Sequence, residues 1–450
     1  MRQFREVQLA LVPAWGPHQH TRELQIAARI LDEHPELGEL VQADLVAGQR
    51  SDTGRPGLRG AQVLRIALLK QTHGLSYREL EFHLQDSAAF RAFVGLGFTG
   101  FPVFQTLQMN VKRIRAETWE AIHRVLVRFA RAQGIERGDR IRSDTTAVDA
   151  NIHEPSDSSL LWDCVRVATR LLKRMARHHP ALRQHFRDHT RRAKRRAYEI
   201  KFSARRKDRP QGYRDLVRVA EAVRNQAQDV LDRVADRSSR TLEELALALR
   251  EVLGHLDRIL DQAKRRVFEG ERVPAAEKLV SIFEPHADIL VKGQRDVQYG
   301  HKICLTGGRS SLILDCVIEQ GNPPDATLVE RTLVRHRDLF GRAPRQACFD
   351  GGFASRANLE RAKELGVEDI AFHRKAGLGI HEMARSAWIF RRLRNWRSGI
   401  EGCISTVKRA FQLGRCTWRG LGSFQAYVWA SVTSYNLVVL ARHLLVREFA

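Results

Sequence analysis

The chain has 450 residues, 43% of them apolar, which excludes general disorder and leaves room for two or three domains at about 150 residues each. It carries 75 Lys and Arg against 52 Asp and Glu, a formal charge of +23. An excess of this size points to a polyanionic partner, most simply nucleic acid, because each phosphate neutralised releases condensed counterions. Six cysteines (Cys164, Cys304, Cys316, Cys348, Cys403, Cys416) lie far apart, with no CxxC pair and no Cys/His spacing of a zinc site. Reduced, buried thiols in a cytoplasmic protein are the expectation.

In chain order, the first residues (MRQFREVQLALVPAWGPHQH) lack an apolar core of signal-peptide length. Residues 1–138 read as helical. Gln62–Lys70 and Leu75–Leu84 place apolar groups three and four apart around a His73–Gly74 break, and Gln105–Gln133 adds a stripe of Leu107, Val111, Ile114, Trp119, Ile122, Val125, Leu126 and Phe129. Such a segment suits a DNA-binding helical module or a plain packing domain. Gly95-Leu-Gly-Phe-Thr-Gly100 matches a dinucleotide fingerprint in letters. A helix-like run precedes it where a strand is required, so a loop between helices is expected.

The period changes at Arg140. Arg140–Val148 reads as a strand rich in β-branched residues, and residues 160–278 turn helical again. Within that span two amphipathic stripes, Leu216 to Val234 and Leu242 to Ile259, flank the break Arg237–Arg240, with Thr241-Leu-Glu-Glu244 as a capping-box pattern. This predicts a helical hairpin inserted into another domain. Strands return at Tyr299–Leu305, Ser311–Ile318, Arg345–Phe349 and Val367–Phe372, with helices at Ala326–Arg337 and Arg356–Leu365 between the later ones. The order is that of a mixed α/β sheet. Phe424–Val446 is about long enough to span a bilayer. It carries Ser431, Thr433, Ser434, Asn436, Arg442 and His443, so a buried C-terminal helix is expected and no membrane.

Metal-assisted phosphodiester chemistry needs acidic ligands brought together from different elements, and hard oxygen donors suit Mg2+ or Mn2+. Three carboxylates stand in suitable places. Asp144 sits inside a strand, where aspartate is disfavoured, unless it is an edge or turn residue. Asp350 tips the strand Arg345–Phe349 and is followed by Gly351-Gly352, which permit close approach of a phosphate or metal or simply make an Asp-Gly turn. Glu401 lies on a helix with Arg394, Arg397 and Lys408 along one face. Ser398-x-x-Glu401 would equally form a capping box. Gly399 and Gly402, costly inside a helix, suggest that something approaches closely.

Together these segments resemble the insertion-sequence DDE transposases of bacteria, in particular the ISNCY-like group. The likeness rests on Ser143-Asp144 through Asp157 and Leu161, on Phe349-Asp350-Gly-Gly-Phe353 with Asn358 and Gly366-Val367, and on the Arg397, Glu401, Lys408 spacing. The run from Gly54-Arg-Pro-Gly57 through Leu75–Leu80, Asp86-Ser87 and Arg91–Phe93 resembles the helical domain that precedes the catalytic core in this group. Two positions depart from the pattern: Arg394 replaces an aromatic residue, and Gly352-Phe353 replaces a Gly-Tyr pair.

The resemblance implies an RNase H-like catalytic domain at 139–159 and 279–450, interrupted by a basic helical insertion at 160–278 and preceded by a helical, candidate DNA-binding domain at 1–138. It implies Asp144, Asp350 and Glu401 as catalytic, metal-holding residues and two Mg2+ or Mn2+ ions per site. Arg397 and Lys408 would meet DNA phosphate, with Arg397 also able to orient a carboxylate; pairing of both with Glu401 as surface charges is the alternative. His153, Lys302 and Asn358 belong to the same segments. Double-stranded DNA as partner, a homo-oligomeric synaptic complex and a cytoplasmic, nucleoid-associated location complete the expectation. The rival readings are an RNase H-like nuclease without strand transfer and a domesticated DNA-binding protein.

The charge also has an address. Arg166–Arg214 holds 18 basic and 3 acidic residues, and Arg385–Arg419 holds 9 and 1, so the two blocks account for the whole excess. The first contains Arg191, Arg192, Lys194, Arg195 and Arg196, a candidate DNA-backbone clamp or a solvated face. The second contains Arg394 and surrounds Glu401.

Overall fold

The computed structural model describes residues 15–48, 57–97, 100–202, 209–234, 239–292, 296–373 and 377–448. Residues 1–14 of the N-terminal run, 54–56 of the resembling run, 98–99 of the glycine motif and 237–238 of the inter-helix break lie outside them. The N-terminal helices are α1 (Gln19–Asp32), α2 (Pro35–Val46), α3 (Gly60–His73), α4 (Tyr77–Asp86), α5 (Ala88–Val94), α6 (Phe104–Val111) and α7 (Ala116–Ala132). After β1 (Arg140–Asp149) come α8 (Asp157–His178), α9 (Thr190–Phe202), α10 (Arg209–Val234) and α11 (Arg240–Val267). Then follow β2 (Asp288–Lys292), β3 (Asp296–Gly307), β4 (Ile313–Ile318), α12 (Val329–Phe340), β5 (Gln346–Phe349), α13 (Arg356–Glu364) and β6 (Asp369–Phe372). The chain closes with α14 (Ile380–Met383), α15 (Ala387–Arg397), α16 (Gly399–Ala410) and α17 (Leu421–Glu448).

Contacts divide the chain into two compact units, Met1–Asp149 with His301–Ala450, and Ala150–Gly300. In the first, local signals set the helix ends. Ser76 Oγ accepts from the Glu79 amide at 3.2 Å while Glu79 returns a carboxylate to the Ser76 amide at 2.7 Å, a capping box that starts α4. Gly74, at φ 64°, ends α3 in the left-handed conformation. The helix α5, not a strand, precedes Gly95, so the dinucleotide geometry is absent there.

The stripe Trp119, Ile122, Leu126 and Phe129 of α7 is buried, and α17 packs against α7, α1 and α3. Ser431, Asn436, Arg442 and His443 of α17 find protein partners, whereas the buried Thr433 and Ser434 hydroxyls find none among the described residues. Asn436 accepts from the Ile313 amide at 3.0 Å and donates to the Ile313 carbonyl at 2.7 Å, Ser431 accepts from Gln71 at 2.7 Å, and Arg442 pairs with Glu23 at 3.0 Å. No helix among the described residues is long and apolar enough to cross a membrane. All six cysteines are buried thiols outside any disulfide.

The sheet of this unit runs β4-β3-β1-β5-β6, with β3 and β4 antiparallel and β1, β5 and β6 parallel. Such a mixed sheet, with helices α12 and α13 in its crossovers, is RNase H-like. The N-terminal helices, the sheet and α15–α17 share one hydrophobic core.

The second unit holds α8–α11 around a core of its own. Ser156 caps α8, and the buried Asp157 beside it takes Gln262 at 2.8 Å and Arg266 at 2.9 Å from α11. The span predicted as a hairpin is thus four helices. A strand absent from the sequence reading, β2, pairs antiparallel with the first half of β3, from Asp288↔Gly300 to Lys292↔Asp296.

Candidate active site

β1 and β5 are parallel neighbours in the register Arg140↔Gln346 to Ser143↔Phe349. An aspartate follows the last pair on each side, Asp144 in the middle of β1 and Asp350 just past the end of β5, so the two stand side by side. Asp350 stands at the carboxyl end of its strand, where open α/β sheets present ligands, whereas β1 runs on past Asp144 to Asp149. The Thr145 amide donates to Asp144 Oδ1 at 2.8 Å. Asp350 opens a single 3₁₀ turn, Gly351–Phe353. The third carboxylate, Glu401, arrives on the first turn of α16.

Arg397, at the end of α15, joins the three. Its side chain is 9% exposed. Nη1 donates to Asp144 Oδ2 at 3.2 Å and lies 3.8 Å from Asp350 Oδ1, while Nη2 donates to Glu401 Oε1 at 2.7 Å. Burial pushes the Asp144 carboxyl above the ordinary aspartate range. The Asp350 and Glu401 charges push the same way, against the Thr145 amide and Arg397. Burial also works against charge on Arg397, but the Glu401 hydrogen bond and the neighbouring aspartates outweigh it and raise its pKa.

The break between α15 and α16 has its own cause. Ser398 is helical (φ −54°, ψ −24°) and does not cap. Its hydroxyl donates to the Asn395 carbonyl at 2.9 Å, which leaves the Glu401 carboxylate to Arg397 and sets the capping-box alternative aside. A Cβ on Gly399 would stand 1.8 Å from Arg142 Nη1. Arg142 is buried on β1, donates to the Trp396 carbonyl at 3.0 Å and lies 4.6 Å from the Trp396 ring centroid. The close approach signalled by Gly399 is therefore the protein's own arginine, tying the Glu401 helix to the Asp144 strand. A Cβ on Gly402 would meet nothing within 4 Å, so the surface beside Glu401 is open.

Two family models match the chain. One, described as Transposase domain (DUF772), covers residues 17–113; the other, Transposase DDE domain, covers residues 292–437. This pairing is typical of insertion-sequence transposases of the ISNCY-like type. The chain belongs to the insertion-sequence DDE transposases. No curated protein and no solved structure matches it.

DDE transposases use divalent metal ions. The donor set in this transposase fits such an ion in kind, since three carboxylates, oxygen donors only, converge on a single cationic centre. Among the described residues no three acidic, histidine or cysteine side chains are yet close enough to enclose an ion. The Arg397 guanidinium stands where the carboxylates meet and is the cation they hold.

Other residues singled out from sequence are placed differently. Arg394 is exposed on α15. Lys408 lies further along α16, where its charge acts on Asp149 at the far end of β1. On α9, Arg192 and Arg196 both bind Asp215, and Arg195 and Arg196 reach Glu199 at 3.7 and 2.5 Å. Arg191 and Lys194 are exposed. His153 lies 3.6 Å from Asp163 within the second unit. Lys302 and Asn358 turn inward: Lys302 binds Asp325 at 2.9 Å, and Asn358 donates to the Ala326 and Phe353 carbonyls at 2.7 and 2.8 Å. Sequence reasoning missed Arg142 and Asp325. Gly399 signalled the first, whereas Asp325 after two prolines reads as a turn residue.

Proposed function

We propose that this transposase cuts DNA at the ends of its element and joins the freed 3′ hydroxyl to target DNA. In this reading Asp144, Asp350 and Glu401 are the catalytic carboxylates and hold two Mg2+ or Mn2+ ions. The supporting observation is the convergence of three carboxylates from β1, the tip of β5 and α16 on one guanidinium. Two such ions, when bound, supply stabilisation of both the attacking and the leaving oxygen of an in-line displacement.

The residues contribute unequally. Asp144 is 18% exposed and braced by its strand, whereas Asp350 and Glu401 are 43% and 58% exposed, so they form the side of the site open to DNA. Arg397 keeps the carboxylates gathered and oriented. Arg394, Lys408 and the α9 residues Arg191, Lys194 and Arg195 meet DNA phosphates, while Arg192 and Arg196 are occupied by Asp215. Residues 1–138 serve as a DNA-binding segment, 139–159 with 279–450 as the catalytic domain and 160–278 as a basic insertion. Holding two DNA ends calls for a homo-oligomeric synaptic complex, in a cytoplasmic, nucleoid-associated setting.

End-labelled element DNA and a circular target test this reading. The wild type yields joined product, and Asp144→Asn, Asp350→Asn and Glu401→Gln each abolish cleavage and joining while DNA binding persists. Cleavage without joined product would instead establish a nuclease. Full function in all three variants would leave a DNA-binding protein.

A further inference from the structure

Asp325, in the loop before α12, touches the surroundings of both aspartates. Its Oδ1 accepts from Thr145 Oγ1 at 3.2 Å and from Lys302 Nζ at 2.9 Å, and Lys302 also donates to the Pro323 carbonyl at 2.7 Å. Thr145 is the residue whose amide holds Asp144. On the other side, a Cβ on Gly352 would come within 3.0 Å of Asp325 Oδ2, so the turn after Asp350 rests against the same carboxylate. Asn358 fastens this contact by bonding both the Ala326 carbonyl, next to Asp325, and the Phe353 carbonyl, at the end of the turn.

We infer that Asp325 and Lys302 form a positioning brace that sets the separation of Asp144 and Asp350, a role that rests on the metal-site reading above. The ion pair is the mechanically important part. Lys302 consumes the negative charge of Asp325, so this carboxylate supports the cluster without adding a fourth like charge to it. One oxygen of Asp325 restrains β1 through Thr145, and the other seats the glycine turn. A side chain at Gly352 would press on Asp325 Oδ2, which would have to give by a few tenths of an ångström.

The test is Mn2+ binding to the full chain, read by electron paramagnetic resonance with Mn2+ alone, alongside duplex DNA affinity. Asp325→Ala and Lys302→Met are expected to weaken Mn2+ binding about ten-fold, the scale found when a group supporting metal ligands is lost, and to leave DNA affinity unchanged. Asp325→Asn, which keeps the acceptor for Thr145, recovers part of the loss. Where Asp325→Ala fails to fold, Thr145→Val and Lys302→Met carry the test, with Thr145→Val expected to weaken Mn2+ binding in the same direction. Wild-type Mn2+ affinity in the Asp325 and Lys302 variants overturns the brace, and so does tighter binding in Lys302→Met, which would make Asp325 a ligand freed from its lysine. Asp144→Asn separates the two proposals: if it too binds Mn2+ like the wild type, the metal site itself is misplaced.

Discussion

Arginine does two different jobs in the two basic segments. On α9, Arg192 and Arg196 share Asp215, and Arg196 also takes Glu199; these side chains are 53% and 32% exposed, and pairs of this kind contribute about 0–1 kcal/mol. At the end of α15, Arg397 is 9% exposed and answers to three carboxylates at once. The first arrangement spreads charge over a surface, and the second concentrates it at a point. Acids outnumber the base at that point, so the cluster is short of positive charge even with Arg397 in place. Positive composition therefore says little about local charge, because one unit of it is enclosed by three negative ones.

The sharpest way to break the comparison is Arg397→Ala. Loss of the shared counter-ion leaves three gathered carboxylates, and an uncompensated partly buried charge costs on the order of 3 kcal/mol. Thermal melting should fall accordingly, and millimolar Mg2+ should restore the variant more than it shifts the wild type. Equal shifts in both proteins would sink the idea that a divalent ion can take over the role of the guanidinium.

Gly399→Ala comes next. A methyl 1.8 Å from Arg142 Nη1 forces the guanidinium off the Trp396 carbonyl, with an expected cost of about 2 kcal/mol by denaturant unfolding. In an Arg142→Ala background the same substitution should cost much less, and additive effects in this double-mutant cycle would refute the contact.

Two aspartates then give opposite signs. The Asp144 carboxyl is raised above its ordinary range by burial and by Asp350 and Glu401, so its ionised form opposes folding and that cost is present above the raised value. Asp144→Asn should therefore increase stability at neutral pH, read by denaturant unfolding, while removing activity. The Asp215 carboxyl is lowered, first by its hydrogen bond from Arg192 and also by Arg196, against a desolvation cost. Its contribution is present at neutral pH and is lost only as the solution is acidified below the ordinary aspartate range. Asp215→Asn should thus lower stability by a few tenths of a kcal/mol. It should also release Arg192 to DNA, while Arg196 keeps Glu199, making the salt dependence of duplex affinity steeper by about one phosphate contact. A shallower or unchanged salt slope would show that α9 does not meet DNA.

Much of the fold was legible because apolar period tracks element type. The Arg140 strand and the stripe through Trp119, Ile122 and Leu126 appear where spacing put them. β2 was not legible: five residues, Asp-Ile-Leu-Val-Lys, carry no more pattern than a loop and become a strand only by pairing with β3. The four-helix character of the second unit was hidden on α9, whose buried residues are only Ala193, Ala197 and Ile200 among a run of cations. The three carboxylates could be picked out by their settings: Asp144 inside a strand, where aspartate is unusual, Asp350 at a strand tip before two glycines, and Glu401 among bases on a helix. Their common partner was placed only by tertiary structure. Arg397 looked like one more basic residue on a helix, and nothing in the spacing shows that Arg142 reaches across from β1 to open the break in front of Glu401.

The helix α17 carries a consequence for how the molecule is made. It covers α1, α3 and α7, yet it is synthesised some 290 residues after α7 ends. While the ribosome works through the intervening strands and the second unit, Trp119, Ile122 and Leu126 lack their final cover. A chain that stops short of Leu421 keeps those apolar faces bare and is a natural client for chaperones or proteases. The last 28-residue helix thus works as a completeness check, and premature termination should yield protein that is cleared instead of protein that retains a formed carboxylate cluster.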